Sequence, residues 1–175
     1  MFGKRGIVYV LTGDGKGKTT AALGLALRVI GHGGIVYMAQ FMKGREYGEI
    51  IAARSFLPSL VIEQFGRDEF VQYGDPDPRD LKLAREGWEA ARRAIEGGRY
   101  DMVILDEINV AIYFNLLSLE EAVNLLRAKP LELDVVLTGR YAPPELIALA
   151  DTVSEVREIK HHFRAGIKES AGMEF

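Results

Sequence analysis

The run Thr12-Gly13-Asp14-Gly15-Lys16-Gly17-Lys18-Thr19-Thr20 has the composition that gripping a polyphosphate requires. Gly13, Gly15 and Gly17 let the backbone curl tightly and point its N–H groups inward at phosphate oxygens. A helix opening at Thr19 would add the positive end of its dipole to the same anion. Lys18 supplies a mobile positive charge, and the Thr19 hydroxyl can reach a Mg2+ ion that accompanies the phosphates. The usual spacing of such a phosphate loop puts a glycine five residues before Gly17. Here that residue is Thr12, and Gly13 comes one place late. A plain glycine-rich turn would share the glycines, but Gly-Lys-Thr-Thr opening a helix after an apolar strand is much more specific.

An ATP site also needs carboxylates, and Met102-Val103-Ile104-Leu105-Asp106-Glu107 supplies them. An apolar strand here delivers two acids to the carboxyl edge of a sheet, where ligands bind in open α/β folds. Magnesium takes hard oxygen ligands and retains several waters, so Thr19 with one or both carboxylates suffices. These residues leave the reaction open. ATP hydrolysis or phosphoryl transfer would suit them, with Glu107 orienting a water and Arg140 acting as an arginine finger. Binding without turnover would suit them equally.

The elements that must position these groups are legible along the chain. Gly6 to Leu11, Ile35 to Ala39, Leu60 to Phe65, Met102 to Leu105, Asp134 to Leu137 and Thr152 to Val156 read as strands. Thr19 to Ile30 and Gly48 to Leu57 read as helices, the first ended by glycines and the second by Pro58. Asp77 before Pro78 caps a helix whose apolar face is Leu81, Ala84, Trp88, Ala91 and Ile95. Ser118 with Glu121 forms a capping box for a helix to about Ala128, and Pro143 to Ala150 is a short helix. The tail from Lys160 is polar and irregular. This alternation predicts one α/β domain over residues 1–175, with a mainly parallel six-stranded sheet and helices on both faces.

Composition narrows the function classes. The 175 residues include no cysteine, which excludes disulfides, thiolate metal sites and cysteine nucleophiles. The net charge of −3 gives no basic excess for nucleic acid. The apolar stretch after Arg5 ends by Leu11, too short for a signal-peptide core or a membrane span, so a cytoplasmic location without membrane contact is expected.

The run TGDGKGKTTAALGLALR from Thr12 to Arg28 resembles the opening of the ATP:corrinoid adenosyltransferases of the cobalamin pathway. So do Gln40-Phe41-Met42-Lys43-Gly44, Leu105-Asp106-Glu107-Ile108-Asn109, Thr138-Gly139-Arg140, Ala150-Asp151-Thr152-Val153-Ser154-Glu155 and Lys160-His161-His162-Phe163. Gly166-Ile167-Lys168 and Gly172-Met173-Glu174-Phe175 continue the match in order. The first glycine of that family's phosphate loop is also late. The resemblance implies a P-loop fold of the RecA-like type and a reaction in which Co(I) of a corrinoid attacks C5′ of ATP and triphosphate leaves. It implies the loop from Gly13 to Thr20 on ATP, Lys18 on phosphate, Thr19 and Glu107 on Mg2+ with Asp106 adjoining, and Arg28 near the nucleotide. It further implies a corrinoid, cobalamin or cobyrinic acid a,c-diamide, as the second substrate, a flavin-dependent reductase as electron donor, and a homodimer. Because the nucleophile belongs to the corrinoid, no protein nucleophile is needed.

Two departures follow from the same comparison. Some members carry a segment ahead of the first strand that covers the corrinoid; here that strand begins by about residue 6, so the cover is expected to be absent or supplied otherwise. The enteric enzyme has Phe and Trp after the third strand; here the loop holds Phe70 and Tyr73 and no Trp. Phe70, helped by Tyr73 or Phe41, is the expected corrinoid contact. Tyr113 and Phe114 either line that pocket or pack under the loop. Trp88 reads as core, and His32 as a turn residue. Adjacent His161 and His162 would face opposite ways in a strand, as surface groups or as ligands.

Overall fold

The computed structural model describes residues 5–69, 71, 73–74, 76–168 and 170–173. Six strands form one sheet: β1 (Val8–Thr12), β2 (Val36–Phe41), β3 (Leu60–Phe65), β4 (Met102–Asp106), β5 (Asp134–Thr138) and β6 (Thr152–Glu155). Their order is β3-β2-β4-β5-β1-β6, and every adjacent pair is parallel. The helices are α1 (Lys18–Gly31), α2 (Gly48–Phe56), α3 (Pro78–Glu96), α4 (Ile108–Tyr113), α5 (Leu119–Ala128) and α6 (Pro144–Leu149), followed by a 3-10 turn at His162–Ala165. Among the described residues no helix is long and apolar enough to cross a membrane.

Parallel strands buried on both faces should be apolar at every position, and β2 is buried throughout. Val36 and Met38 join one core with Ala22 and Ala26 of α1, while Tyr37, Ala39 and Phe41 join the other with Ala84, Trp88 and Ala91 of α3. Each fully buried large aliphatic side chain contributes about 1.5–3 kcal/mol, so stability is concentrated in the inner strands. The outer strand β6 is mostly exposed. It is held by its ladder with β1 and by the Asp151 carboxylate, which accepts from the Val8 N–H at 2.9 Å.

Local signals explain most boundaries. Asp77 accepts from the Arg79 N–H at 2.8 Å and starts α3 with Pro78 in its first turn. Ser118 accepts from the Glu121 N–H at 3.3 Å, but the Glu121 side chain takes hydrogen bonds from Arg85, leaving the capping box half built. Leu81, expected on the apolar face of α3, is exposed, because the face that packs on the sheet is centred on Ala84, Gly87, Trp88, Ala91 and Ile95. Helix α4 was not expected: its Ile-Asn-Val-Ala-Ile-Tyr sequence is rich in β-branched residues, and the turn at Glu107, with φ at 61°, makes it possible.

Helix α3 crosses the sheet at Gly87, where an added Cβ would lie 2.7 Å from Phe65 Cγ and 2.9 Å from Phe41 Cε1. Gly87→Leu is expected to destabilise the fold by about 2–3 kcal/mol through overpacking, read as a lower urea midpoint. An unchanged midpoint would show that α3 does not press on these rings.

Candidate active site

The strands end at one edge, where Asp106 closes β4, the phosphate loop leads into α1 with Lys18 and Thr19, and Lys43, Glu107 and Arg140 follow β2, β4 and β5. Between them lies a cleft of about 870 Å³, lined by the phosphate loop, Lys43, Glu107, Phe114 and Arg140 among others. The loop is shaped from behind. The Val156 N–H donates to Thr12 O and the Gly15 N–H donates to Val156 O, both at 2.8 Å, so the chain after β6 backs the loop. A Cβ on Gly13, whose φ is 98°, would sit 2.4 Å from Val156 O, and one on Gly15 would sit 2.7 Å from the Arg157 backbone. This accounts for the displaced first glycine. Thr12 is still in β1, its hydroxyl accepts from the Ala142 N–H at 3.3 Å, and the turn begins one residue later.

Asp106 is completely buried at the end of β4 and joins the parts of the site. One carboxylate oxygen accepts from the Thr19 hydroxyl at 2.9 Å and the Thr138 hydroxyl at 2.6 Å. The other accepts from the Lys43 ammonium at 2.7 Å and the Gln40 amide at 3.2 Å. Because β5 separates β1 from β4, Thr138 bridges the gap; its hydroxyl also accepts from the Glu107 N–H at 3.0 Å. That bond holds Glu107 in its left-handed conformation, an uncommon one for a residue with a side chain. Met42 and Tyr141 have the same backbone sign, with φ at 58° and 60°. Strained turns thus follow β2, β4 and β5 and aim Lys43, Glu107 and Tyr141 around the cleft.

Charge is poised in the cleft. Lys18 donates to Gly15 O at 2.7 Å, and burial lowers its pKa against the opposing pull of Glu107. Burial also lowers the Lys43 pKa, but Asp106, by charge and hydrogen bond, outweighs it and leaves the ammonium above its ordinary value. Burial and the neighbouring Asp106 push the Glu107 carboxyl up, with Lys43, Lys18 and Arg140 opposing. Arg140 donates to Asp14 O at 3.3 Å and so closes the loop's open side. Fully buried Asn109 donates to Gly139 O at 3.1 Å and ties the loop after β5 to α4.

Several expected site residues lie elsewhere. Arg28 is exposed in the last turn of α1 and does not line the cleft; at about 1.5 Å per helical residue it is well over 10 Å from Thr19. Phe41, expected to assist at the corrinoid, is wholly buried between β2 and α3, with its ring 6.4 Å from that of Phe65. Phe70 lies outside the described residues. Tyr73 is exposed and stacks on Tyr113 at 5.2 Å. His161 and His162 do not occupy a strand: their rings stack at 4.5 Å at the 3-10 turn, and His161 borders the cleft. Sequence reasoning gave no role to Lys43, Gln40, Thr138 or Tyr141, although all four sit at or just past a strand's carboxyl end, the one signal that marks them.

The family model for the ATP:corrinoid adenosyltransferases BtuR/CobO/CobP matches residues 4–175. The corrinoid adenosyltransferase of Escherichia coli is 40% identical over 174 residues, covering 98% of this chain and 87% of its own. Those of Salmonella typhimurium and Pseudomonas aeruginosa are 38% and 36% identical, each over 98% of this chain and over 87% and 85% of their own. Among solved structures, the RadB recombinase superposes with a TM-score of 0.56 at 15% identity, over 90% of this chain and 77% of its own. That likeness concerns the fold alone, and it bears out the P-loop, RecA-like architecture.

The Lys18 shift fixes a sign. Its pKa is lower folded than unfolded, so the charged form opposes folding at neutral pH, and that cost is recovered as pH rises through the folded value. Lys18→Met is expected to be at least as stable as the wild type at pH 7, with the gap narrowing toward about pH 10. Urea midpoints across that range check it; a variant clearly less stable at pH 7 contradicts it.

Proposed function

The chain belongs to the ATP:corrinoid adenosyltransferase family, and we propose that it moves the 5′-deoxyadenosyl group of ATP to Co(I) of a corrinoid, cobalamin or cobyrinic acid a,c-diamide. In this step the cobalt electron pair forms the bond to C5′, the C5′–O5′ bond breaks, and its pair leaves on triphosphate. The protein's task is to place C5′ in line and to stabilise charge arriving on the leaving group. The observation that carries this reading is the cationic cleft: the phosphate loop, Lys18 and Arg140 converge where a triphosphate would lie, and no side chain is needed as nucleophile.

The donors for a metal are compatible with magnesium. The Thr19 hydroxyl touches the Asp106 carboxylate, a cation already sits against both, and Glu107 faces the cleft. Among the described residues no three His, Cys, Asp or Glu side chains gather to hold a metal by themselves, so the phosphates and waters would complete its coordination. Bound there, Mg2+ would neutralise phosphate charge, and Thr19 and Glu107 would hold it while Asp106 orients Thr19.

The corrinoid is assigned to an aromatic shelf beside the cleft. Tyr113 stacks on Tyr141 at 4.3 Å and on Tyr73 at 5.2 Å, while Phe114 meets Tyr73 edge-on at 5.4 Å. Tyr141 and Phe114 line the cleft itself. Three exposed phenols backed by apolar rings suit a flat macrocycle fringed with amides, and the row is longer than an adenine needs. A flavin-dependent reductase supplying the low-valent cobalt, a homodimer and a cytoplasmic location complete the reading.

Incubation with chemically reduced cobalamin and Mg-ATP is expected to yield triphosphate and a light-sensitive cobalt–carbon product. Orthophosphate or ADP would instead mark an ATPase or kinase, and unchanged ATP a carrier. Tyr113→Ala combined with Tyr141→Gly, the glycine suiting the left-handed backbone, is expected to weaken corrinoid binding about tenfold, or about 1.4 kcal/mol. ATP affinity should stay within about twofold. Equal losses for both substrates would remove the shelf from the corrinoid site.

A further inference from the structure

Lys43 is a buried cation in the cleft that the phosphate-loop reading does not use. It follows Met42, whose left-handed backbone at the end of β2 turns the chain inward. Its side chain is only 16% exposed. Its ammonium lies 2.7 Å from Asp106 Oδ2 and 3.4 Å from the Thr19 hydroxyl, the two groups a P-loop turns toward its metal. The Tyr47 ring, 5.3 Å away, stabilises the same charge from another side. A lysine ammonium is a compact, strongly hydrated point charge on a flexible stem. It can therefore stand where a hydrated divalent cation would stand, and it can leave.

Both cations cannot keep that place. Magnesium draws oxygen ligands to about 2.1 Å, and an ammonium held 3.4 Å from the same Thr19 hydroxyl would be repelled by it. The side chain already borders the cleft, so the motion that clears the seat carries the ammonium toward the phosphate oxygens. We propose that Lys43 is a second triphosphate-binding cation, which occupies the metal's place at the Thr19 hydroxyl, anchored there by Asp106, while the cleft is empty and moves onto the triphosphate when metal and nucleotide enter. The assignment rests on the proposed triphosphate-holding role of the cleft. It gives the leaving group a positive partner beside Lys18, and it gives Asp106 a positive partner in both states of the cycle.

Inorganic tripolyphosphate and Mn2+ test this without corrinoid or turnover. In EDTA, by isothermal titration, Lys43→Met is expected to bind tripolyphosphate at least tenfold more weakly than the wild type, and Lys43→Arg within about threefold. By electron paramagnetic resonance without nucleotide, Lys43→Met is expected to bind Mn2+ at least fivefold more tightly, because its seat is vacated. Near-UV circular dichroism controls for folding, and Lys43→Gln repeats both measurements should Lys43→Met fold poorly. Unchanged tripolyphosphate affinity would make Lys43 a structural counter-ion of Asp106 and overturn the proposal. Unchanged Mn2+ affinity would overturn the shared seat. If the wild type itself does not bind tripolyphosphate, the triphosphate role of the cleft fails rather than the assignment of Lys43.

Discussion

Full burial of the Asp106 carboxylate is the constraint from which the rest of the site follows. A carboxylate taken out of water must be met by donors on all its lone pairs, or its burial costs several kcal/mol. Asp106 is met by four, and they come from α1, β2, β5 and the loop after β2. The same bonds that make burial tolerable therefore lock the loops of the sheet's carboxyl edge into one arrangement. Gln40 extends the network outward: it donates to Glu49 at the start of α2 and accepts from Gln64 of β3. Register at the outer edge of the sheet is thus tied to the position of Thr19.

Of the four described residues with side chains at positive φ, Asn115 follows α4 and the other three lie at this edge. Met42, Glu107 and Tyr141 adopt conformations that L-residues populate rarely. Each directly follows, or comes shortly after, a strand whose inward side chains are fully buried. The strand cannot shift to relieve the turn, so the turn keeps the side chain where the packing puts it. The phosphate loop is different: it is flexible in sequence and rigid in context, because the backbone after β6 fills the space that a Cβ on Gly13 or Gly15 would need. Strand β6 contributes little to the core, and its worth lies in closing the loop from behind.

The parts of this protein that sequence exposes are those governed by local rules. Apolar runs gave the first five strands, the short Thr152–Val156 stretch the sixth, and Asp77-Pro78 the start of α3, because propensity and capping act within a few residues. The phosphate loop and the acid pair stood out for the same reason. Helix α4 was invisible, since its β-branched residues argue for a strand and only the backbone at Glu107 reverses the argument. Thr138, Gln40 and Lys43 were invisible as site residues because their roles exist only once β2, β4 and β5 are aligned. Phe41 was misjudged in the same way: an aromatic at a strand end reads as exposed until α3 is seen to cover it. Arg28 was placed near ATP by its motif, and the length of α1 carries it away.

The electrostatic design also bears on release. A triphosphate held only by fixed cations would leave slowly, since every contact that stabilises the departing charge also retains the product. Lys18 is penalised by burial in the empty cleft, so it gains when an anion arrives. Lys43 is already satisfied by Asp106 and gains less. With Lys18 hydrogen-bonded to a carbonyl and Lys43 paired with a carboxylate, the proposed triphosphate site would attract a polyphosphate and yet offer Asp106 as a competitor for one of its charges. Under the proposed transfer, where triphosphate would be the most highly charged species, such a balance would favour binding that is strongest while charge develops and weaker once the bond has broken.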